Sequence, residues 1–146
     1  MAPQTPYSKD LGDREPIGAM RDSAGRYQRL LSWTPAQFER SYAPGKWTAR
    51  QILIHLAQTE LALGTRARMA LSTPNYAAQS FNQDEWMAKE QTLAGKEALD
   101  ALLALMTMNR AFFAGLSPRK PLLAIIFASA SGGTPSCINF CFKCAI

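Results

Sequence analysis

The 146-residue sequence is poor in the side chains that hold metals and staple folds. It has one histidine, His55, and its three cysteines, Cys137, Cys141 and Cys144, all lie in the last ten positions. A single imidazole cannot hold a catalytic metal by itself. No acid follows Asp100, so the C-terminal part has no carboxylate to orient a ligand. No run reaches the ~18 apolar residues of a membrane span. The opening Met1-Ala2-Pro3-Gln4-Thr5-Pro6 lacks the basic-then-apolar layout of a secretion signal. Together these absences lead to the expectation of a cytoplasmic protein with reduced thiols and no membrane partner.

What is present is an apolar fraction of 47%, enough for one domain with its own core. The net charge is +5, yet Arg14, Arg21, Arg26, Arg29, Arg40, Arg50, Arg66 and Arg68 are spread among acids. That pattern reads as a solvated surface, with no nucleic-acid partner expected.

The clearest local signal is Pro44-Gly45-Lys46-Trp47-Thr48-Ala49-Arg50-Gln51, a turn followed by a T-x-x-Q capping box. It predicts a helix from Thr48 to about Leu71, stopped ahead of Pro74. Ile52, Leu56, Thr59 and Leu63 recur along one face, and His55 falls within that face. Its imidazole should therefore point inward or to a pocket rim. Upstream, residues 1–13 read as a loose lead-in, and Arg14 to Leu31 as a first helix. A second T-x-x-Q box, Thr34 to Gln37 with Pro35 at the first helical position, predicts a short helix through about Tyr42. Downstream, residues 72–95 lack a strong period apart from a helical turn at Asp84 to Gln91, and a connection this long signals a crossover. A third long helix follows from about Lys96 to Leu116, with Leu99, Leu102, Leu103, Met106, Phe112, Phe113 and Leu116 as its stripe and Ser117-Pro118 as its stop. Met106 and Phe113 read as core filling. Beyond Pro118 the composition changes, and the apolar run Leu122 to Ala128 fits a buried strand or a helix equally.

The wording from Gly45 to Glu60, then Arg66 to Leu71, then Phe81-Asn82-Gln83-Asp84-Glu85-Trp86, resembles the DinB-like family over about residues 14–118. The resemblance implies an all-α, four-helix-bundle fold with a long crossover between helices two and three. Residues 1–146 then form a single domain with an atypical C-terminal segment at 119–146. It also implies a divalent metal, zinc or nickel, held by one histidine on helix two, which His55 matches, and by two on helix four. Such a metal can lower the pKa of bound water or bind a thiolate, and the implied chemistry is transfer to or from a small-molecule thiol, or hydrolysis. This chain has no His-x-x-x-His pair after Pro118, so its fourth helix is divergent or incomplete and its metal site lacks two imidazoles. A frameshifted, truncated or divergent chain would each give that pattern.

The remaining candidates carry alternatives. Cys137, Cys141 and Cys144 at i, i+4, i+7 would face one way on a helix and, with His55, make the Cys3His set of a structural zinc; the other readings are free thiols or a disulfide. The same spacing occurs in iron-sulfur radical enzymes, but only two residues follow Cys144, too few for the barrel that chemistry needs. Without the resemblance, a lone histidine such as His55 on an apolar helix face reads first as a core or rim residue hydrogen-bonded to a neighbour, and a ligand role is the alternative. Glu60 should point away from His55, Asp84 and Glu85 read as a solvated helix start, and Trp47 and Trp86 as anchors of the turn and the crossover. Two functions from different classes follow: a metal-dependent transferase or hydrolase-like protein with an incomplete metal site, or a non-catalytic helical protein that binds a partner or a second copy of itself.

Overall fold

A computed structural model describes residues 12–116. Among them every regular element is helical, and the one β-type contact is an isolated antiparallel bridge between Ser41 and Thr48. No helix among the described residues is long and apolar enough to cross a membrane. The expected Ser117-Pro118 stop, the residue 1–11 part of the lead-in, and the whole 119–146 segment with its cysteines lie outside the described residues.

Helix α1 spans Pro16–Gln28. The Glu15 carboxylate caps it by accepting from the Ile17 amide at 2.9 Å, and Pro16 occupies the first turn, where no amide is needed. The chain tightens into a 3₁₀ turn at Arg29–Ser32 and becomes extended at Trp33. Helix α2, Pro35–Phe38, is opened by the expected box, with the Gln37 side-chain oxygen accepting from the Thr34 amide at 2.8 Å. It is one turn long and does not reach Tyr42. The backbone after Phe38 is used elsewhere: the Arg40 carbonyl accepts from the Ala49 amide at 2.9 Å, and the Ser41 hydroxyl donates to the Lys46 carbonyl at 2.9 Å. These bonds close a loop around Pro44-Gly45, where Gly45 takes φ 71°, a backbone conformation that side chains with a Cβ rarely adopt.

Helix α3, Ala49–Ser72, carries both halves of its box: Thr48 Oγ1 accepts from the Gln51 amide at 3.2 Å and Gln51 returns an acceptor to the Thr48 amide at 2.9 Å. The crossover then holds helix α4, Gln83–Lys89, capped by Asn82. Asp84 and Glu85 fall in its first turn, where the helix dipole favours negative charge. Helix α5, Gly95–Ala114, has half a box, since Glu97 accepts from the Ala94 amide at 2.8 Å but alanine has no oxygen to return. Arg50 at the start of α3 meets residues 91 and 93, and Arg68 near its end meets Met108 and Asn109. The two long helices therefore run parallel, as a crossover between them requires.

The core gathers Phe38, Leu53, Ile54, Ala57, Met87, Ala98, Leu99, Leu102 and Met106, with Trp33, Trp47, Leu56 and Leu103 packed against it. A smaller cluster surrounds Ala67 with Leu63, Leu71, Phe112, Phe113 and Leu116. The expected α3 face of Ile52, Leu56, Thr59 and Leu63 is only half-buried, while Leu53, Ile54 and Ala57 are fully buried. Helix α3 packs against both α5 and α4, so its buried arc is wider than one stripe and is centred on the residues between them. Gly95 is glycine for a steric reason: a Cβ there would fall within 3.0 Å of the Phe38 side chain.

Candidate functional site

The site is built on α3, one turn past its capped start. His55 is 4% exposed, and its Nδ1 is buried with no hydrogen-bond partner among the described residues. One turn on, Gln58 is 3% exposed; its Nε2 donates to Glu90 Oε2 at 2.8 Å while its Oε1 is likewise buried and unpartnered. The indole of Trp47 closes one side of the imidazole, with ring centroids 5.3 Å apart and planes at 59°. Burial pushes the His55 pKa below the usual histidine value, and the nearby Asp84 carboxylate offsets this in part. His55 is therefore held as neutral imidazole, the form that binds metals and accepts protons.

Two buried polar atoms without partners, three residues apart on one helix face, are uncommon, since each costs about 1–3 kcal/mol when left unsatisfied. The inward-pointing His55 agrees with the sequence pattern. Gln58 and Glu90 were not signalled by any motif; the available clue was that Gln58 sits on the same apolar face as His55 at i+3. Asp84 acts on His55 through charge alone, from the exposed start of α4.

Glu60 is occupied elsewhere. Asn109 Nδ2 on α5 donates to both the Glu60 carbonyl and its carboxylate at 2.8 Å, and Asn109 Oδ1 accepts from Arg68 at 2.8 Å. Burial pushes the Glu60 carboxyl upward in pKa, an effect that the Asn109 bond opposes. Arg66, which the sequence places among surface bases, is buried; it bonds the Gln79 carbonyl and lies over the Phe81 ring at 5.7 Å. The two anchors expected at Trp47 and Trp86 pack against His55 and, at 4.9 Å, against Phe81.

As a metal centre the described residues are partial. His55 fits one ligand position, being neutral and buried with an unengaged nitrogen. No group of three or more His, Cys, Asp or Glu side chains among the described residues could hold a metal ion. The sulfurs of Cys137, Cys141 and Cys144 fall outside those residues.

Comparison with known sequences decides the family. Residues 20–142 match the sequence model of the DinB superfamily. The chain belongs to the DinB superfamily. Two proteins of Oceanobacillus iheyensis are also similar, each named as a candidate metal-dependent hydrolase. One is 32% identical over 50 residues, which is 34% of this chain and 29% of that protein. The other is 27% identical over 65 residues, which is 44% of this chain and 38% of that protein. The chain thus matches well under half the length of these two relatives. No solved structure matches the chain.

Proposed function

We propose that this DinB-superfamily chain is a divalent-metal-dependent hydrolase or thiol-transferase-like protein in which His55 supplies a metal ligand. The observation that carries this reading is the buried, unpartnered Nδ1 of a histidine kept neutral by its surroundings. Residues 12–116 hold no group of three or more His, Cys, Asp or Glu side chains that could complete the site, so a full protein ligand set needs at least one donor from outside them. The names of the two Oceanobacillus proteins support a metal and hydrolytic chemistry in general terms. The remote family resemblance supports zinc or nickel and a small-molecule thiol as co-substrate.

The test is metal content by elemental analysis on untagged protein, for the parent and for His55→Ala, with circular dichroism as the check on folding. Near-stoichiometric zinc or nickel in the parent, lost in a folded His55→Ala, is the expected result. A metal-free parent overturns the proposal.

A second reading has its own support. Leu61 and Met69 on α3 and Met108 on α5 are large apolar side chains left 46%, 39% and 52% exposed. Apolar surface of this kind suits a partner helix or a second copy of the chain. In that case the protein is metal-free and sediments as a dimer.

A further inference from the structure

A cleft of about 240 Å³ opens at the start of α3, on a side of Trp47 that His55 does not line. Its walls are aromatic and apolar: Trp33, Trp47, Tyr42 and Ile52. Three polar residues join them: Ser41, whose hydroxyl already donates to the Lys46 carbonyl, Arg40 and Gln37. Arg40 is exposed at the edge of the cleft, and no acid among the described residues pairs with it. Its sequence neighbour Glu39 is already engaged by Arg50 at 2.8 Å. Gln37 has its side-chain oxygen bound by the Thr34 amide, which leaves the amide NH2 end as its donor group.

The cleft is formed by the same features that shorten α2. The bond from the Ala49 amide to the Arg40 carbonyl and the Ser41 bridge tie the 39–48 loop to the start of α3, and Trp33, extended in backbone with its ring 5.5 Å from that of Phe38, lines the cleft as well. Volume and lining then set the occupant. An apolar cavity of ~150 Å³ accepts a benzene ring, so this volume suits one or two fused rings. Indole walls favour offset or edge contacts with such rings. An unpaired guanidinium favours a carboxylate, which it can grip with two parallel bonds.

We infer that this cleft binds a small aromatic monocarboxylate, its ring between Trp33 and Trp47 and its carboxylate on Arg40. The inference is independent of the metal reading, because neither His55 nor Gln58 lines the cleft. Trp47 belongs to both places, with one part of its surface in the cleft and its ring against His55, so an occupant is sensed next to the imidazole.

The three tryptophans of the chain provide the readout: Trp33 and Trp47 line the cleft, and Trp86 lies on the crossover against Phe81. The full chain, labelled with nitrogen-15 and treated with chelator, is titrated with 2-naphthoate while its three indole N–H signals are followed. Trp86→Phe identifies the control signal. Saturable movement of the Trp33 and Trp47 signals with a still Trp86 is expected. The neutral analogue 2-naphthalenemethanol should bind about tenfold more weakly, and Arg40→Gln should remove that preference, since a charge-assisted bond is worth about one decade or more of affinity. Arg40 is exposed, so this variant keeps the fold. The inference is overturned by any of three results: no saturable shift up to about 5 mM, a concentration where ligands of only millimolar affinity already register; equal movement of all three signals; or equal affinity for acid and alcohol in the parent.

Discussion

The carboxamide of Asn109 lies over the bare Cα of Gly64, so close that a Cβ at position 64 would meet its oxygen, carbon and nitrogen within 3.0 Å. The close approach lets Asn109, 2% exposed, reach Glu60 and Arg68 at once and ties the parallel helices α3 and α5 through a satisfied polar network. Helix propensity alone says that Gly64→Ala should stabilise α3 by up to about 1 kcal/mol. The contact reverses the sign: we expect a loss of about 1–3 kcal/mol from overpacking, read as a lower urea midpoint at unchanged slope. A raised midpoint would mean that Asn109 moves aside freely.

His55 gives stability a pH dependence of definite sign. Its pKa is lowered in the folded protein, so the unfolded chain takes up the proton first as pH falls. Stability is therefore complete above the unfolded value near 6.5 and declines as pH drops below it toward the folded value. Urea titrations between pH 8 and 5, run with chelator so that metal release does not contribute, should show this decline in the parent. In His55→Met the decline should vanish over the same range.

Glu60 works in the opposite direction. Its pKa is raised by burial, so the unfolded chain loses the proton first as pH rises above the usual value of 4.5. The folded state is thus favoured on the acid side and loses that advantage as pH climbs through the raised value. Glu60→Gln keeps an oxygen for Asn109 and removes the buried charge. It should match the parent near pH 4 and exceed it at pH 7 in thermal unfolding, while leaving the histidine-linked decline in place.

The helices were readable where a local device announces them. Thr48 with Gln51 and Thr34 with Gln37 form the boxes their spacing predicts, and the stripe of Leu99, Leu102 and Met106 is buried as its period requires. The end of α2 was not readable, because it is set by a bond between Arg40 and Ala49, nine positions on, and by contacts of Ser41 with Lys46 and Thr48 across the turn. His55 was legible as an inward side chain, but Gln58 and Glu90 were not, since the bond joining them spans 32 positions and exists only once the crossover has folded back on α3. For the same reason Arg66 and Arg68 looked like surface bases: their partners at Gln79, Phe81, Asn109 and Phe112 come from elements that a helix period does not describe.

Arg50 carries the last prediction, because one side chain joins three parts of the chain. Its Nε donates to Glu39 at 2.8 Å, and its Nη1 donates to the carbonyls of Gln91 at 2.8 Å and Leu93 at 3.3 Å. The planar guanidinium serves the short loop after α2 and the end of the crossover together, whereas a lysine ammonium on a flexible stem cannot keep both directions. Arg50→Lys should cost about 1–2 kcal/mol, the loss of one charge-assisted bond. The effect should be local: amide hydrogen exchange should quicken in the Glu90 to Leu93 segment, while Leu99 and Leu102 on α5 keep their protection. If exchange in that segment does not change, the crossover is held by Met87 in the core and Trp86 on Phe81 without the arginine, and Arg50 serves only the Glu39 loop.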